Sequence, residues 1–421
     1  MTFRNIFLYS SLFALTASPV LAQKAASSSL RSQGDTRVNT MISSAQERPS
    51  VAVFEGGWVS AWQSREGTAD LESRARRSQA SQQDILVNTS SLGTQRDPDV
   101  AADPQGNFAV VWYSNEPAEP GGDDSGFGIA ARLFDADGNA LGPAFQVNDL
   151  TDGHQMHPRV AMAQDGSFVV TYRSSESFGG DDSGSSVQAR LFDAGGIPLG
   201  PSFQVNTTTF LDQQYPDVAL SPAGAFIVTW QSLLQDGSVD GVYARRFDAN
   251  GTPLSGELQV NVTTEGSQSR PEIVIANNGR AMIVWQCEDL EAGLEVRGRI
   301  FAASGQAIGG EIPLNTLTGG TQNLPSVSAL STGFITAWQS SITEGTDQSG
   351  FSVQVRVFGF GGQTFAPELQ LNTSTQGGQT NVSAAGYSTE IAVVWDSDHQ
   401  SFTDEDIYIF RDETAQQKPR R

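Results

Sequence analysis

Cysteine is almost missing from this chain. Cys287 is the single one in 421 residues, so no intrachain disulfide is possible. Positive charge is scarce as well. Lys and Arg number 25 against 47 Asp and Glu, a formal net charge of −22. Such a surface repels phosphate backbones and excludes nucleic acid as a natural partner, while attracting cations. Long apolar runs are confined to Ile6–Ala17, which is too short for a comfortable membrane span, and no later segment reaches that length. There is no G-x-S-x-G, no H-E-x-x-H and no phosphate-binding glycine loop. These absences leave few ready-made catalytic centres.

What the chain does have is repetition. A Val-Asn or Leu-Asn pair begins at Val38, Val87, Val147, Val205, Val260, Leu314 and Leu371, at spacings of 49 to 60 residues. An aromatic closes an apolar run at Trp62, Trp112, Tyr172, Trp230, Trp285, Trp338 and Trp395. Glutamine recurs at Gln46, Gln95, Gln155, Gln213, Gln268, Gln322 and Gln379, and six of these precede a proline by three residues, Val382 standing in the seventh copy. Each landmark occurs seven times. A unit of this length built from four short β-segments is one blade of a β-propeller, which predicts an all-β, seven-bladed ring.

The segment Phe108–Trp112 is apolar on both faces, as expected of a strand covered on both sides by neighbouring blades. "DANG" at Asp248–Gly251 supplies a tight turn before the last strand, Leu258–Asn261. The seventh copy stops near Asp412 without a fourth strand, whereas an orphan "TRVN" at Thr36–Asn39 precedes the first copy. Pairing the two closes the ring and removes its exposed edges. The expected blades are about 40–88, 89–148, 149–206, 207–261, 262–315, 316–372 and 373–412 with 36–39. The first blade is irregular, because "ESRARRSQASQQD" at Glu72–Asp84 replaces the usual third strand and turn. Outside the ring, residues 1–22 read as a secretory signal cleaved after Ala22, 23–35 as a flexible leader and 413–421 as a disordered basic tail. The expected location is therefore secreted, extracellular or periplasmic, and the expected state a monomer with no transmembrane anchor.

Candidate chemistry lies in four sets of residues. Acidic, Gly-bearing loops hold Asp123, Asp124, Asp181, Asp182, Asp236, Asp240 and Asp347. Calcium takes six to eight oxygens on flexible loops of this composition, so these are the candidate metal ligands, and calcium the one candidate cofactor. Asp, Ser and Gly are equally ordinary turn formers. The seven glutamines, placed at the start of the innermost strand, are candidates to ring one channel mouth and bind sugar hydroxyls or peptide groups; the alternative is that they lock neighbouring blades together. His154 and His157 flank Gln155 and break the symmetry of that mouth; with Asp152 they are candidates for a metal. The arginines of A-R-x-F, namely Arg132, Arg190, Arg245, Arg299 and Arg356, are expected to serve structure by facing acidic residues or stacking on tryptophan. Cys287 occupies a slot that is serine in the other copies and reads as a small buried residue.

The pattern V-N-T-T-T … Q-x-x-P-x-V-A … G-x-F-x-V-x-W … G-V-x-A-R-x-F-D-A-x-G-x-P-L, clearest at Val205–Asn261, resembles repeats common in secreted bacterial proteins, some of which also carry RTX-type calcium-binding nonapeptides. The resemblance covers nearly all of the chain after residue 22 and implies a propeller at the cell surface or beyond it; the nonapeptide itself is absent. The leading expectation is a non-catalytic binding or scaffold propeller that recognises a glycan, a cell-envelope component or a protein. One alternative is a carbohydrate-active hydrolase or lyase with its site at a channel mouth. The other is a calcium-stabilised surface or adhesion module.

Overall fold

The structure is a computed structural model that describes residues 35–412 apart from 42–43, 67–69, 79–82, 91–92, 117–121, 124–125, 176–180, 182, 290–292, 343–346, 348–349, 389 and 399–404. The expected signal segment, most of the leader and the basic tail lie outside the described residues. Within them the chain forms seven antiparallel sheets of four strands, one of which carries an extra two-residue strand, Gly122–Asp123. The fourth blade is typical: Gln213–Leu220 innermost, then Phe226–Leu233, Asp240–Phe247 and Leu258–Gln259 at the outer edge.

Blade-to-blade packing follows from strands that are apolar on both faces. Phe108–Ser114 is buried at every position. The core is not one mass but seven clusters, each drawn from two adjacent blades. The last of these joins Val51 and Trp62 to Val394 and Ile409, so the first and seventh blades are packed against each other.

Closure is completed by hydrogen bonds. Thr36 pairs with Ile409 and Arg37 with Tyr408, which supplies the seventh sheet with its outer strand. Asn39 donates to Asp406 at 2.8 Å and accepts the N–H of Ile407 at 2.8 Å. Asp35 accepts the N–H groups of Thr373 at 2.9 Å and Ser374 at 2.9 Å. In the fourth and fifth blades Glu257, just ahead of the outer strand, and Glu311, within it, accept in the same way from the N–H groups of Thr208 and Thr263 in the segment that enters each blade. Asp35–Asn39 thus behaves as a full outer-strand unit.

The irregular first blade is conventional in three dimensions. Asp70–Arg77 is its third strand, with Ala61 opposite Ala75, and Ile85–Leu86 is its fourth. Arg76 donates to the Val38 carbonyl. That bond is also made by the A-R-x-F arginines, in which Arg132, Arg190, Arg245, Arg299 and Arg356 reach the carbonyls of Val87, Val147, Val205, Val260 and Leu314 in the preceding blade. Each of these five guanidinium groups lies 5.4–5.7 Å from the centroid of the phenylalanine two residues on. They stack on phenylalanine rather than tryptophan and bind carbonyls rather than the acidic loops, because their strand faces the neighbouring blade's outer edge. The D-A-x-G turns are held by aspartate: Asp248 accepts the N–H groups of Asn250 and Thr252, with Gly251 at φ 80° completing the reversal.

Candidate functional site at the channel mouth

Every innermost strand carries a β-bulge at the same place. In the first blade Glu47 pairs with Gln63 and Ser50 with Ala61, which leaves Arg48 and Pro49 both opposite Trp62. The same register shift occurs in the other six. Bulges turn a side chain away from its normal direction. Here the residue turned is the one just before the proline or Val382.

Those seven residues are Arg48, Asp97, His157, Tyr215, Arg270, Leu324 and Asn381, and all lie in the left-handed region with φ between 46° and 55°. For L-residues this conformation costs about 1–2 kcal/mol each, which glycine would avoid. None of the seven is glycine. The glutamine on one side is constant, and so, in six blades, is the proline on the other, while the strained residue between them is almost always different. Four of the bulge N–H groups are received by a glutamine of the preceding blade: Asp97 by Gln63, Arg270 by Gln231, Leu324 by Gln286 and Asn381 by Gln339.

All seven line one cavity of about 230 Å³ on the ring axis. Its polar contacts are few and specific. Asp97 is buried between Arg48, with which it forms an ion pair, and His157, whose Nδ1 is 3.0 Å away. Burial would raise the Asp97 pKa, but the His157 hydrogen bond and the Arg48 charge outweigh it and hold the carboxyl well below the usual range. Burial lowers the His157 pKa despite Asp97, so the imidazole is neutral at pH 7. Tyr215 packs on His157 at 4.7 Å between ring centroids and on the Arg270 guanidinium at 3.8 Å. Arg270 also donates to the Tyr215 hydroxyl at 3.2 Å.

A second tier lies one residue past each proline, where the chain places Ser50, Asp99, Arg159, Asp217, Glu272, Ser326 and Ser383. Several stitch the ring: Asp99 accepts the Val160 N–H at 2.9 Å, Asp217 that of Ile273 at 2.7 Å and Ser326 that of Ala384 at 3.0 Å. Ser50 donates to Asp99 at 2.6 Å. Arg159 keeps its charge against burial because Asp99 and Asp217 surround it. Desolvation, reinforced by their mutual repulsion in Glu272, pushes the Asp217 and Glu272 carboxyls up toward neutrality.

The structure places the sequence candidates as follows. The seven glutamines are fully buried and none lines the cavity. Gln213 accepts from Asn206 at 2.9 Å and donates to the Phe210 and Leu211 carbonyls; Gln155, Gln268 and Gln379 likewise accept from Asn148, Asn261 and Asn372. Gln46 accepts from the Trp62 indole at 2.7 Å. Gln322 donates to the Gly319 carbonyl, and Gln95 is enclosed with them. His157 lies in the cavity; His154 is exposed and meets the edge of blade two, its Nδ1 accepting the Phe127 N–H at 3.2 Å. The two histidines have different neighbours and do not form a common site with Asp152.

Among the acidic loops, Asp181, Asp236 and Asp347 each accept from the Val-Asn or Leu-Asn asparagine of their own blade: Asn206, Asn261 and Asn372. Asp240 accepts from Ser267 at 2.9 Å. Asp124, Asp182 and the Asp123 side chain lie outside the described residues. Among the described residues, no group of three or more His, Cys, Asp or Glu side chains is arranged to hold a metal ion. Cys287 is buried, in contact with Gln268 Nε2 at 4.0 Å, and burial pushes its thiol pKa up.

Comparison with known proteins supports the fold. No protein-family model matches the chain, and no curated protein sequence does so either. A protein of unknown function from Dyadobacter fermentans superimposes with TM-score 0.52 at 11% identity, over 89% of this chain and 97% of that one. An alpha-L-arabinanase from Penicillium chrysogenum gives TM-score 0.48 at 14% identity over 90% and 98% of the two chains. The endosialidase of phage phi92 gives 0.48 at 8% identity over 90% and 68%. The chain is a seven-bladed propeller; the first likeness speaks for architecture alone, and the other two, below a TM-score of 0.5, carry no argument.

Proposed function

We propose that the protein is a ligand-binding propeller whose site is the bulge-lined channel mouth, and that its ligand is a small polar molecule such as one residue of a glycan or a cell-envelope component. The observation that carries this reading is the ring of seven strained, non-glycine residues. A purely structural ring would favour glycine there and would repeat one residue, as it repeats glutamine and proline. Strain retained in order to aim seven side chains at one cavity supports a recognition role. The cavity volume is below the roughly 300 Å³ at which drug-sized sites begin, which suits a single sugar ring. The secretory pattern of residues 1–22 supports a location outside the cytoplasm. The test is a glycan array probed with the wild type and with a His157→Ala/Asn381→Ala variant. Signals that the variant loses support the reading; signals of equal strength in both put the binding elsewhere on the ring.

A second reading, a carbohydrate-active enzyme, is favoured by Glu272. A carboxyl held protonated near neutrality in a cavity floor is what a general acid requires. Turnover of chromogenic glycosides that Glu272→Gln abolishes would establish it. The absence of turnover across such a panel leaves the binding role.

A further inference from the structure

We infer that the ligand of this mouth carries an oxyanion and that Arg270 is the residue that recognises it. This rests on the channel mouth being the binding site and adds the chemical class of the ligand.

The charges of the mouth do not balance locally. Asp97 is the only carboxylate among the seven bulge residues, and it is shared by Arg48 and His157. Arg270 has no carboxylate within 4.0 Å among the described residues. It is nevertheless fixed in place. The Tyr215 ring lies against its guanidinium, the Tyr215 hydroxyl takes one N–H, and Tyr215 is itself wedged against His157. The backbone N–H of Arg270 is held by the Gln231 side-chain Oε1, and the residue is strained at φ 55°. A guanidinium offers five N–H donors in a rigid fork, so most of this fork remains directed at the cavity and its solvent. Burial lowers the Arg270 pKa, yet the group remains a cation at neutral pH. A preorganised cation exposed at the mouth, with no carboxylate beside it, is the usual complement of a carboxylate, sulfate or phosphate oxygen.

The wider charge distribution sharpens the point. The chain carries −22 overall, yet this cavity is lined by Arg48, Arg159 and Arg270 against Asp97, Asp99 and a Glu272 carboxyl that burial pushes up to about 8. A free surface arginine would be unremarkable in a basic protein, but on this one a cation held on the axis is a local exception. Asn381 and Ser383 of the seventh blade lie across the same cavity and supply neutral polar groups for hydroxyls. With the Asn381 Nδ2 taken by Asp396, its Oδ1 and the Ser383 hydroxyl remain for ligand hydroxyls, and together these features fit an acidic sugar, its anionic group on Arg270 and its ring in the cavity. The acid group is either a planar carboxylate or a tetrahedral ester, since the fork serves both.

Isothermal titration calorimetry with D-glucose, D-glucuronate and D-glucose 6-sulfate tests this. The expected result is at least tenfold tighter binding of one or both acids than of glucose; the stronger of the two identifies the anion. Arg270→Met is expected to remove that preference, and Tyr215→Phe, which keeps the ring but releases the guanidinium, to reduce it severalfold. Arg246→Met, whose guanidinium binds the Ala303 carbonyl outside the channel, is expected to keep it. Glucose binding as tightly as both acids, or a preference that survives Arg270→Met, overturns the oxyanion while leaving the channel as a sugar site. If none of the three sugars binds, both the sugar reading of the mouth and this inference fail. Should Arg270→Met not fold, as judged by its thermal midpoint, the Tyr215→Phe result decides alone.

Discussion

His157 Nδ1 lies 3.0 Å from Oδ2 of Asp97, a contact between residues of adjacent blades that share the same strained position. Burial keeps this imidazole harder to protonate than a free one, and Asp97 partly offsets that burial. Replacing Asp97 with Asn removes the offsetting charge, so the His157 pKa is expected to fall further. An NMR titration of the His157 ring protons checks this, and a rise would contradict the geometry. The sign for stability follows. The unfolded chain protonates His157 near pH 6.5 and the folded chain only at lower pH, so stability decreases as pH drops through that interval. Asp97 acts in the same direction at still lower pH, because its stabilisation is present above about pH 4 and is lost as acid titrates the folded carboxyl.

The closing seam between blades seven and one is expected to show the opposite dependence. Asp396 is buried, accepts from Thr380 and Asn381, and is pushed up to about 7 mainly by desolvation. Glu405 is also raised to about 7, by desolvation and by Asp396 and Glu47. Both would ionise near pH 4 in the unfolded chain. Their contribution to stability is therefore complete below that pH and is lost as pH rises through 7. Thermal midpoints measured from pH 6 to 8 are expected to fall, and Asp396→Asn is expected to flatten the slope and to gain about 2–4 °C at pH 8.

Leu324 is the one apolar member of the strained ring. Leu324→Gly relieves about 1–2 kcal/mol of backbone strain and adds about 0.5–1 kcal/mol of unfolded-chain entropy. Calorimetry is expected to show unchanged or slightly raised stability. A loss above about 1 kcal/mol would mean that the side chain is held for packing rather than for the cavity.

Gln213 is expected to behave in the opposite way to Arg270. Its amide joins Asn206 to the Phe210 and Leu211 carbonyls, all within the protein. Gln213→Ala leaves these groups unpaired and is expected to cost about 2 kcal/mol or more in chemical denaturation. Ligand affinity of the folded variant should stay within about twofold of wild type. A stable variant with lost binding would return the glutamines to the site.

Removal of Asp35–Asn39 uncovers the edge of Glu405–Asp412 and discards the Asn39 bonds to Asp406 and Ile407. An open edge of this kind pairs with other chains. The truncated protein is expected to elute as larger oligomers than the longer chain in size-exclusion chromatography, with a lowered thermal midpoint.

Much of the site's address was present in the repeat, though not its direction. The Gln-x-x-Pro motif brackets the residues that line the cavity, His157 among them, while its glutamines do not reach it. The residues that reach the cavity are the variable ones inside the motif, and a position that varies between two fixed ones was the available signal. Simple two-residue alternation puts Gln46, Arg48 and Ser50 on one face. The bulge breaks that alternation by setting Arg48 and Pro49 against Trp62 alone, so the glutamine turns into the blade while its neighbour turns toward the axis. The acidic loops illustrate the same limit: their composition suits a cation, but Asp236 and Asp347 are taken by asparagines about 25 residues on, a pairing that becomes visible only once the outer strand returns.

The sequence by itself determined seven blades, their strand order and the closing role of Thr36–Asn39, because repeat count, apolar periodicity and turn chemistry are local properties of the chain. It also determined that Cys287 replaces serine at a buried position. Only the tertiary structure decided which side chains meet. Arg270 and Tyr215 are 55 residues apart and His157 and Asp97 are 60 apart. Ring closure brings seven such positions to one axis, and their packing there sets which charges are paired and leaves Arg270 with no carboxylate beside it.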